Sequence, residues 1–267
     1  MLTSARDVAI KAAEKAARLI RYHAGDIDED GIERKGVNDL VTEVDTAAQK
    51  AVLQVIQQAF PEHAILAEEG VDDVDPTVPG YRWIIDPIDG TTNFTRGCPP
   101  YAVSIALQKD GVSVVGVVLE VTADDLFTAV KGAGAYQNGR PIHVTNNGVL
   151  ENSLLATGFP YTVFDYLEVY TEVLQRFLTE SRGLRRHGAA SVDLVRVANG
   201  TFDGFYETGL SPWDVAAGSL IVEEAGGAVT DFHGKPNAVF GGQMIASNGR
   251  VHEEMLAHVQ PLKDIRR

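Results

Sequence analysis

Two aspartates lie three residues apart at the end of an apolar run, in the stretch WIIDPIDGTTN that contains Asp86 and Asp89. The apolar run predicts a buried strand, which ends at Pro87 because proline has no N–H to donate. Gly90 lets a ligand approach its backbone, and Thr91 suits a helix start whose N–H groups attract an anion. Carboxylates bind hard cations, and the neighbouring N–H groups can bind a phosphate. The stretch therefore predicts metal-dependent phosphoryl transfer. A turn rich in Asp and Gly, without any chemistry, explains this stretch about as well.

Further acids occupy similar positions along the chain. Glu68 and Glu69 follow a predicted strand, whereas Asp45 and Asp214 lie in predicted first turns of helices. Each has a simpler explanation as a capping-box acid or a solvated loop residue. Strand ends and helix starts nevertheless converge at one rim of layered α/β folds, and five carboxylates cannot share a rim without compensation. The set therefore predicts cations held by oxygen ligands, which favour Mg²⁺ or Mn²⁺ over zinc.

Composition limits the classes of function. The 267 residues carry a net charge of −14, which argues against nucleic-acid binding through a basic patch. The same charge repels phosphorylated substrates unless bound cations reverse the local field. The single cysteine, Cys98, allows neither an intramolecular disulfide nor a cysteine zinc site. With no apolar run long enough to span a membrane and no signal peptide, we expect a soluble, cytoplasmic protein.

The elements that must position these acids follow from periodicity and turn signals. Helices are predicted at about 2–24, 43–59, 162–181, 191–198, 212–225 and 250–262. Strands are predicted at 64–67, 83–85, 101–107, 112–119, 126–130, 142–144, 154–157, 184–186, 203–207 and 244–247. Loops are predicted at 35–39, which carries Lys35, and at the acidic segment 71–80. The Asn-Asn-Gly at 146–148 suggests two halves, 1–147 and 148–267, that share one compact unit.

Four motifs in order resemble the inositol monophosphatase family. The segment 86–93 (DPIDGTTN) is similar to its first signature and 213–227 (WDVAAGSLIVEEAGG) to its second. Segments 35–45 and 68–70 fall at the expected places, and 156–160 and 206–210 resemble the bacterial branch. The resemblance covers essentially the whole chain. It implies an α/β (α+β) fold, a layered αβαβα sandwich of the inositol monophosphatase and fructose-1,6-bisphosphatase type, commonly dimeric.

The resemblance also implies a role for each site residue. A first Mg²⁺ would be held by Glu68, Asp86 and the Ile88 carbonyl, and a second by Asp86, Asp89 and Asp214. A third, weaker ion would lie near Glu68, with Glu69 close by. Asp45 and Thr91 would take a proton from the attacking water. The phosphate would lie against Gly90, Thr91 and Thr92, and the polyol against Asp89, Ala190 and Glu207.

The function so implied is Mg²⁺-dependent hydrolysis of inositol monophosphate by in-line attack of a metal-activated water, with lithium sensitivity. Glu207 and the short loop at 71–80 favour this substrate. The same metal site would also serve fructose 1,6-bisphosphate, 3′-phosphoadenosine 5′-phosphate or histidinol phosphate. A non-enzymatic alternative is binding to the transcription machinery, as in some bacterial relatives. We expect a homodimer that binds a small phosphate ester, with neither membrane nor direct nucleic-acid binding.

Overall fold

Two helices near the start of the chain cover one face of the largest sheet. The computed structural model describes residues 1–25, 42–70, 79–161, 163–236 and 238–265, and for the backbone alone also 32–36 and 39–41. Helix α1, Leu2–His23, buries alanines at a spacing of three and four residues, the pattern of one apolar helix face. Helix α2, Glu43–Ala59, packs against α1 and against the sheet. The described helices include none long and apolar enough to cross a membrane.

The first half of the chain builds a small hairpin and a seven-stranded sheet. The hairpin pairs β1 (Ile32–Gly36) with β2 (Asp39–Thr42). The sheet has the sequential order β3 to β9, and only β3 and β4 run parallel. Its strands are Ala64–Ala67, Tyr81–Asp89, Ala102–Lys109, Val112–Glu120, Asp125–Val130, Ala135–Gln137 and Arg140–Pro141. A five-residue helix, α3 (Thr91–Thr95), follows β4 directly.

The second half builds a five-stranded sheet and four helices. In chain order these are β10 (Leu154–Thr157), α4 (Leu167–Glu180), β11 (Gly183–Arg185), α5 (Ala190–Ala198), β12 (Gly204–Thr208), α6 (Pro212–Glu224), β13 (Ala228–Thr230), β14 (Gln243–Ser247) and α7 (His252–Val259). The strand order is β11-β10-β12-β14-β13.

Helices α5 and α6 form the central layer, since α6 packs on β5 and β6 while both helices contact strands of the second sheet. The approach is close, because a Cβ on Gly116 of β6 would stand 2.7 Å from the carbonyl oxygen of Ala217. Helices α4 and α7 pack on the outer face of the five-stranded sheet, where Tyr170, Phe177 and Met255 are buried. The layers are therefore αβαβα, and the predicted fold class is confirmed. The division at residue 147 stays a prediction.

Several predicted boundaries were wrong. The loop expected at 35–39 is the hairpin of β1 and β2, with residues 37–38 outside the described part. No strand forms at 142–144, because the Val144 N–H bonds to the Ala225 carbonyl at the end of α6 instead of a strand. The helix expected from 162 begins at Leu167, after a turn with no side-chain cap. The last helix ends at Val259 in a 3-10 turn. Strand β13 was not predicted at all.

Two sequence features fall outside the described residues. They are the side chain of Lys35 and the segment 71–78, which is most of the predicted acidic loop.

Candidate active site

A cavity of about 270 Å³ opens where β4, α3, α5, β12 and α6 meet. All predicted site residues except Asp45 and Glu69 line it. The lining residues are Glu68, Asp86, Ile88, Asp89, Gly90, Thr91, Thr92, Tyr161, Gly188, Ala189, Ala190, Glu207, Gly209, Leu210, Ser211, Trp213 and Asp214. The strand ends and helix starts identified in the sequence thus meet in one place, as expected.

A bulge in β4 brings its two aspartates to the same wall. Residues three apart in a regular strand point to opposite faces. Here Asp86 is opposite Ser104 and Asp89 opposite Ala102, so β4 carries one extra residue between them. Pro87 lies in that interval, where its missing N–H removes no ladder hydrogen bond. The strand therefore does not stop at the proline, as predicted from the sequence, but continues through a bulge to Asp89.

Four carboxylates that line the cavity repel one another, and we call them the acidic wall: Glu68, Asp86, Asp89 and Asp214. Burial is the main cause that raises the pKa of Asp86 well above its usual range, and the negative charges of Glu68, Asp89 and Asp214 raise it further. Burial, and then Asp214, raise the pKa of Asp89 to about 7. Like charges held this close favour either protonation or a bound cation.

The donor set fits Mg²⁺ or Mn²⁺ in its chemistry, since it consists of carboxylates and the Ile88 carbonyl, all hard oxygen ligands. Among the described residues, however, no three acidic, histidine or cysteine side chains are already gathered around one point as in a formed metal centre. The carboxylates that line one cavity, together with their mutual effect on pKa values, make this wall a candidate cation site without a completed coordination geometry.

Asp89 also joins the two halves of the chain. Its carboxylate accepts hydrogen bonds from the first turn of α5, at 3.2 Å from the Ala190 N–H and 2.7 Å from the Ser191 N–H. The Ser191 hydroxyl donates to the same oxygen at 2.5 Å. The two bonds from Ser191 lower the pKa of Asp89 and partly offset the effect of its burial. Ala190, predicted as a polyol contact, lines the cavity, and its N–H donates to Asp89. Ser191 was not predicted, because no local signal links positions about a hundred residues apart.

Asp45 lies behind the cavity wall, fully buried, and reaches the cavity through Thr91. Its Oδ1 accepts the Thr91 hydroxyl at 3.0 Å, and its Oδ2 accepts the Thr42 N–H at 2.9 Å. The second bond belongs to a complete capping box at the start of α2. Both explanations that the sequence left open for Asp45 are therefore compatible in one side chain. Burial raises the pKa of Asp45, while its bonds to Thr42 and Thr91 lower it.

Glu69 does not line the cavity, and its backbone is held by helix α2. The Gln49 side chain bonds to both the N–H and the carbonyl of Glu69, at 2.9 and 2.5 Å. The negative charge of Glu69 contributes to the raised pKa of Asp45. Gln49 was not singled out in the sequence, although it lies four residues after Asp45 on the buried face of α2. Two polar residues at that spacing on an apolar face were an available signal.

The backbone around Gly90 is closely packed. Gly90 has a φ of 93°, and a Cβ there would stand 3.2 Å from the Pro100 carbonyl oxygen and 3.3 Å from that of Gly188. The Asn93 amide fixes the same two segments, since it donates to the Pro100 and His187 carbonyls at 2.8 and 2.7 Å. Only glycine fits this position without strain or displacement.

Glu207 projects into the cavity from β12, against a glycine. A Cβ on Gly158 would lie 1.9 Å from the Glu207 carboxyl carbon, so this carboxyl occupies the space where a side chain would be. Burial, followed by the charges of Asp193 and Asp214, raises the pKa of Glu207 well above its usual range, and Arg186 opposes the shift. Arg186, which was not predicted, stacks 4.8 Å from the Tyr161 ring and 5.5 Å from the Phe159 ring.

Asp214 combines a capping role with a place in the cavity. Its Oδ2 accepts the Ser211 N–H at 2.7 Å, and the reciprocal capping box is complete. Pro212 occupies the first turn of α6, where its missing N–H costs nothing. As with Asp45, the capping explanation accounts for the local geometry but leaves the carboxylate in contact with the cavity.

The chain is similar to several known proteins. The profile of the inositol monophosphatase family matches residues 1–263. A protein named Nus factor SuhB, from Salmonella typhimurium, is 42% identical over 253 residues, which are 95% of this chain and 94% of that protein. The crystal structure of the extragenic suppressor protein suhB from Bartonella henselae superposes with a TM-score of 0.90 at 37% identity, covering 98% of this chain and all of that one.

Ligand-bound structures of SaIMPase-II are also similar. The one with inositol monophosphate bound has a TM-score of 0.79 at 28% identity, covering 95% of this chain and 92% of that one. The one with 2′-AMP bound has a TM-score of 0.82 at the same identity, covering 98% and 96%. With a family profile that spans almost every residue, this chain belongs to the inositol monophosphatase family.

Proposed function

We propose that this protein is a Mg²⁺-dependent phosphomonoesterase that hydrolyses inositol monophosphate to inositol and phosphate. One observation carries the proposal: the acidic wall and Glu207 line the same cavity, so carboxylates suited to cations and an acceptor suited to hydroxyl groups are within reach of one ligand. Family membership supports a phosphatase, and the inositol monophosphate bound to SaIMPase-II supports the substrate. Fructose 1,6-bisphosphate and 3′-phosphoadenosine 5′-phosphate remain alternative substrates for the same metal site.

In this proposal two or three Mg²⁺ ions are held by Glu68, Asp86, Asp89, Asp214 and the Ile88 carbonyl. Mg²⁺ would supply Lewis-acid stabilisation of the phosphate and lower the pKa of water. The protein supplies a proton acceptor, because a threonine hydroxyl alone is a weak base and needs a carboxylate behind it. Asp45, 3.0 Å from the Thr91 hydroxyl, is that carboxylate.

Substrate positioning falls to the backbone and to Glu207. The backbone at Gly90, Thr91 and Thr92 is the surface on which a phosphate would rest, because no side chain at Gly90 obstructs it. Glu207 can accept hydrogen bonds from two neighbouring hydroxyls, which suits a polyol. Glu69, outside the cavity, would act only through water or a weakly held ion.

A panel of phosphate esters tests this function. Inositol 1-phosphate, fructose 1,6-bisphosphate, 3′-phosphoadenosine 5′-phosphate and histidinol phosphate are each assayed with Mg²⁺, with Zn²⁺ and with EDTA. We expect the highest kcat/KM with inositol 1-phosphate and Mg²⁺, inhibition by lithium, poor replacement by Zn²⁺ and no activity in EDTA. Full activity in EDTA would exclude the metal mechanism. A higher kcat/KM with another ester would make that ester the preferred substrate.

A second candidate function is interaction with the transcription machinery. It is favoured by the name Nus factor, which is carried by relatives at 41–42% identity. The variant Asp89→Asn separates the two functions in cells that depend on this protein. An enzymatic role predicts that a folded but inactive variant fails to support growth, whereas survival would make the binding role primary. We further propose that the protein is cytoplasmic and that it forms a homodimer. Size-exclusion chromatography with light scattering tests the dimer.

A further inference from the structure

His187 lies next to the candidate active site in sequence and bonds to helix α5. Its Nδ1 stands 2.7 Å from Oδ1 of Asp193, a buried carboxyl four residues into that helix. Because an ionised carboxylate can only accept, the hydrogen of this bond is on Nδ1. The His187 ring also packs against Phe202, with 5.3 Å between the ring centroids. The proposed reaction gives neither member of this pair a role.

The bond fixes the segment through which the chain enters α5. Gly188, Ala189 and Ala190 lie between the two bonded residues in the sequence, and all three line the cavity. The N-cap of α5 is Ala189, whose methyl group cannot accept a hydrogen bond from the first turn. A contact between a residue just before a helix and the fourth helical residue fixes the entry angle, as in a hydrophobic staple. The bond from His187 to Asp193 provides that contact with polar groups.

The backbone of His187 is fixed as well. The Asn93 amide, from α3, donates to the His187 carbonyl at 2.7 Å and to the Pro100 carbonyl at 2.8 Å. The next carbonyl, that of Gly188, lies against the phosphate surface, since a Cβ on Gly90 would stand 3.3 Å from it. His187 is therefore held by α5 through its side chain and by α3 through its carbonyl. Its position determines where the cavity segment between them lies.

The start of α5 in turn orients the carboxylate of Asp89. The Ala190 N–H donates to Oδ1 of Asp89 at 3.2 Å, and the Ser191 N–H donates to Oδ2 at 2.7 Å. Two consecutive N–H groups thus hold the two oxygens separately, so a shift of the helix start would turn the carboxylate. Groups that orient a metal ligand from outside commonly change metal affinity or activity by about 10–100-fold when they are removed.

We propose that His187 is a positioning residue for Asp89. By bonding to Asp193 it fixes the start of α5, whose N–H groups set the direction in which the Asp89 carboxylate faces a cation and the substrate. His187 does not itself line the cavity. This inference rests on the proposed metal-dependent function and adds to it a residue that acts only through the helix start.

Three substitutions of His187 test the bond. His187→Leu removes the donor, His187→Gln places an amide one carbon beyond the Nδ1 position, and His187→Asn places an amide nitrogen at that position. Mg²⁺ affinity is measured by titration calorimetry, and kcat/KM with inositol 1-phosphate. We expect His187→Leu and His187→Gln to weaken Mg²⁺ binding about tenfold and to lower kcat/KM about tenfold or more, whereas His187→Asn stays within about threefold of the wild type. The polar His187→Gln decides the matter if His187→Leu does not fold.

His258→Leu is the matched control. The Nε2 of His258 also bonds to a carboxylate, 2.9 Å from Oε2 of Glu180, and its ring packs 4.9 Å from that of Phe177, in the outer layer of α4 and α7. This variant should keep Mg²⁺ affinity and kcat/KM within about twofold of the wild type. An equal loss in the control or in His187→Asn would overturn the proposal, because destabilisation or ring packing on Phe202 would then explain it. Wild-type values in the folded His187→Leu and His187→Gln variants would overturn it as well.

Amide hydrogen exchange separates this inference from the proposed function. In the metal-free protein, NMR should show the Ala190 and Ser191 N–H groups exchanging about tenfold faster in His187→Leu than in the wild type, and at the wild-type rate in His187→Asn. If the wild type neither binds Mg²⁺ nor hydrolyses the ester, the proposed function fails, while these exchange rates still decide whether His187 positions the start of α5. Unchanged exchange in His187→Leu would exclude that role.

Discussion

The carboxylate of Asp45 divides its two oxygens between two elements. Oδ1 accepts the Thr91 hydroxyl at 3.0 Å, and Oδ2 accepts the Thr42 N–H at 2.9 Å. The Thr91 hydroxyl also lies 3.1 Å from the Ile88 carbonyl, so its single proton has two acceptors in reach. If the Ile88 carbonyl holds a cation, that proton is directed to Asp45. One side chain can thus close helix α2 and orient a hydroxyl in the cavity.

This division predicts that Asp45→Asn separates activity from stability. The amide can still accept the Thr42 N–H, but it cannot take a proton from Thr91. We expect kcat to fall about 10²–10⁴-fold. The free energy of unfolding should be unchanged or slightly raised, because burial already disfavours the charged form of Asp45. Mg²⁺ affinity should be retained. Turnover, chemical denaturation and Mg²⁺ titration of the purified variant check this.

The comparison variant removes the Thr42 hydroxyl, which caps α2 and also bonds to Asp45 Oδ2 at 2.5 Å, but it keeps the contact between Asp45 and Thr91. Thr42→Ala loses the side-chain half of the capping box and should cost about 1 kcal/mol of unfolding free energy. Its kcat should stay within about threefold of the wild type, because Thr91 and Asp45 keep their contact. If Asp45→Asn also keeps kcat within that range, Asp45 is only a helix cap.

Thr91 should show the complementary pattern. Thr91→Val has nearly the same shape but no hydroxyl, so we expect a loss of kcat comparable to that of Asp45→Asn, about 10²-fold or more. Thr91→Ser keeps the hydroxyl and should retain most of the activity. The double variant Asp45→Asn with Thr91→Val should be little worse than either single one, since both remove the same relay. Additive losses in kcat would show that the two residues act independently.

The sequence predicts the regular elements of this fold because their signals are local. The alanine stripe of α1, the capping residues of α2 and α6 and the strands β5 to β7 all appear as patterns within single windows. Errors occur where the backbone makes tertiary bonds instead of regular ones. The segment 142–144 is an example, since its pattern is that of a strand but its Val144 N–H bonds to the end of α6.

The site is predictable as a set of acids but not as a geometry. Asp89 and Asp214 are conspicuous because each stands near proline, glycine or a helix start. The bond from Ser191 to Asp89 cannot be predicted from the sequence, because serine is common in the first turn of a helix and does not indicate a distant partner. The bulge that turns Asp86 and Asp89 to one wall is announced only by Pro87, which the sequence alone equally presents as a strand end.

Gly158 gives a prediction about substrate binding. A Cβ at this position would stand 1.9 Å from the Glu207 carboxyl, which is the mobile end of a side chain. Gly158→Ala should therefore displace Glu207 at small cost in stability. We expect KM for inositol 1-phosphate to rise about tenfold, with a smaller change in kcat. Gly148→Ala is the control, because its Cβ would meet nothing closer than 4.0 Å. An unchanged KM in Gly158→Ala would remove Glu207 from the polyol contacts.

Gly90 and Gly226 form a matched pair for separating strain from crowding. Their φ angles are 93° and 90°, so alanine is strained at both. A Cβ at Gly90 meets the backbone oxygens of Pro100 and Gly188, whereas one at Gly226 meets nothing within 4 Å. We expect Gly226→Ala to cost about 1–3 kcal/mol of unfolding free energy and to leave kcat unchanged. Gly90→Ala should cost more and lower kcat, because the backbone beside the phosphate surface must move. If the two substitutions have equal effects on urea denaturation and on turnover, the close packing around Gly90 is contradicted.

The acidic wall predicts how the stability of the protein depends on pH and Mg²⁺. Asp89 has its pKa raised from 3.8 to about 7, mainly by burial and then by Asp214. A raised carboxyl pKa means that the folded protein holds the proton more tightly than the unfolded chain. This contribution to stability is complete below the unfolded pKa and is lost as the pH rises through about 7. In EDTA, the unfolding free energy should therefore fall across this interval.

Magnesium should reverse that trend, because it binds the deprotonated carboxylates and its stabilisation grows as they lose their protons. Urea denaturation at about pH 4.5, 6 and 7.5, with EDTA or with Mg²⁺, measures both effects. Asp89→Asn is the decisive comparison, since groups common to both proteins cancel. The variant should show a shallower fall in EDTA and a smaller gain from Mg²⁺. If wild type and variant give parallel curves in both conditions, Asp89 neither carries the raised pKa nor contributes to cation binding.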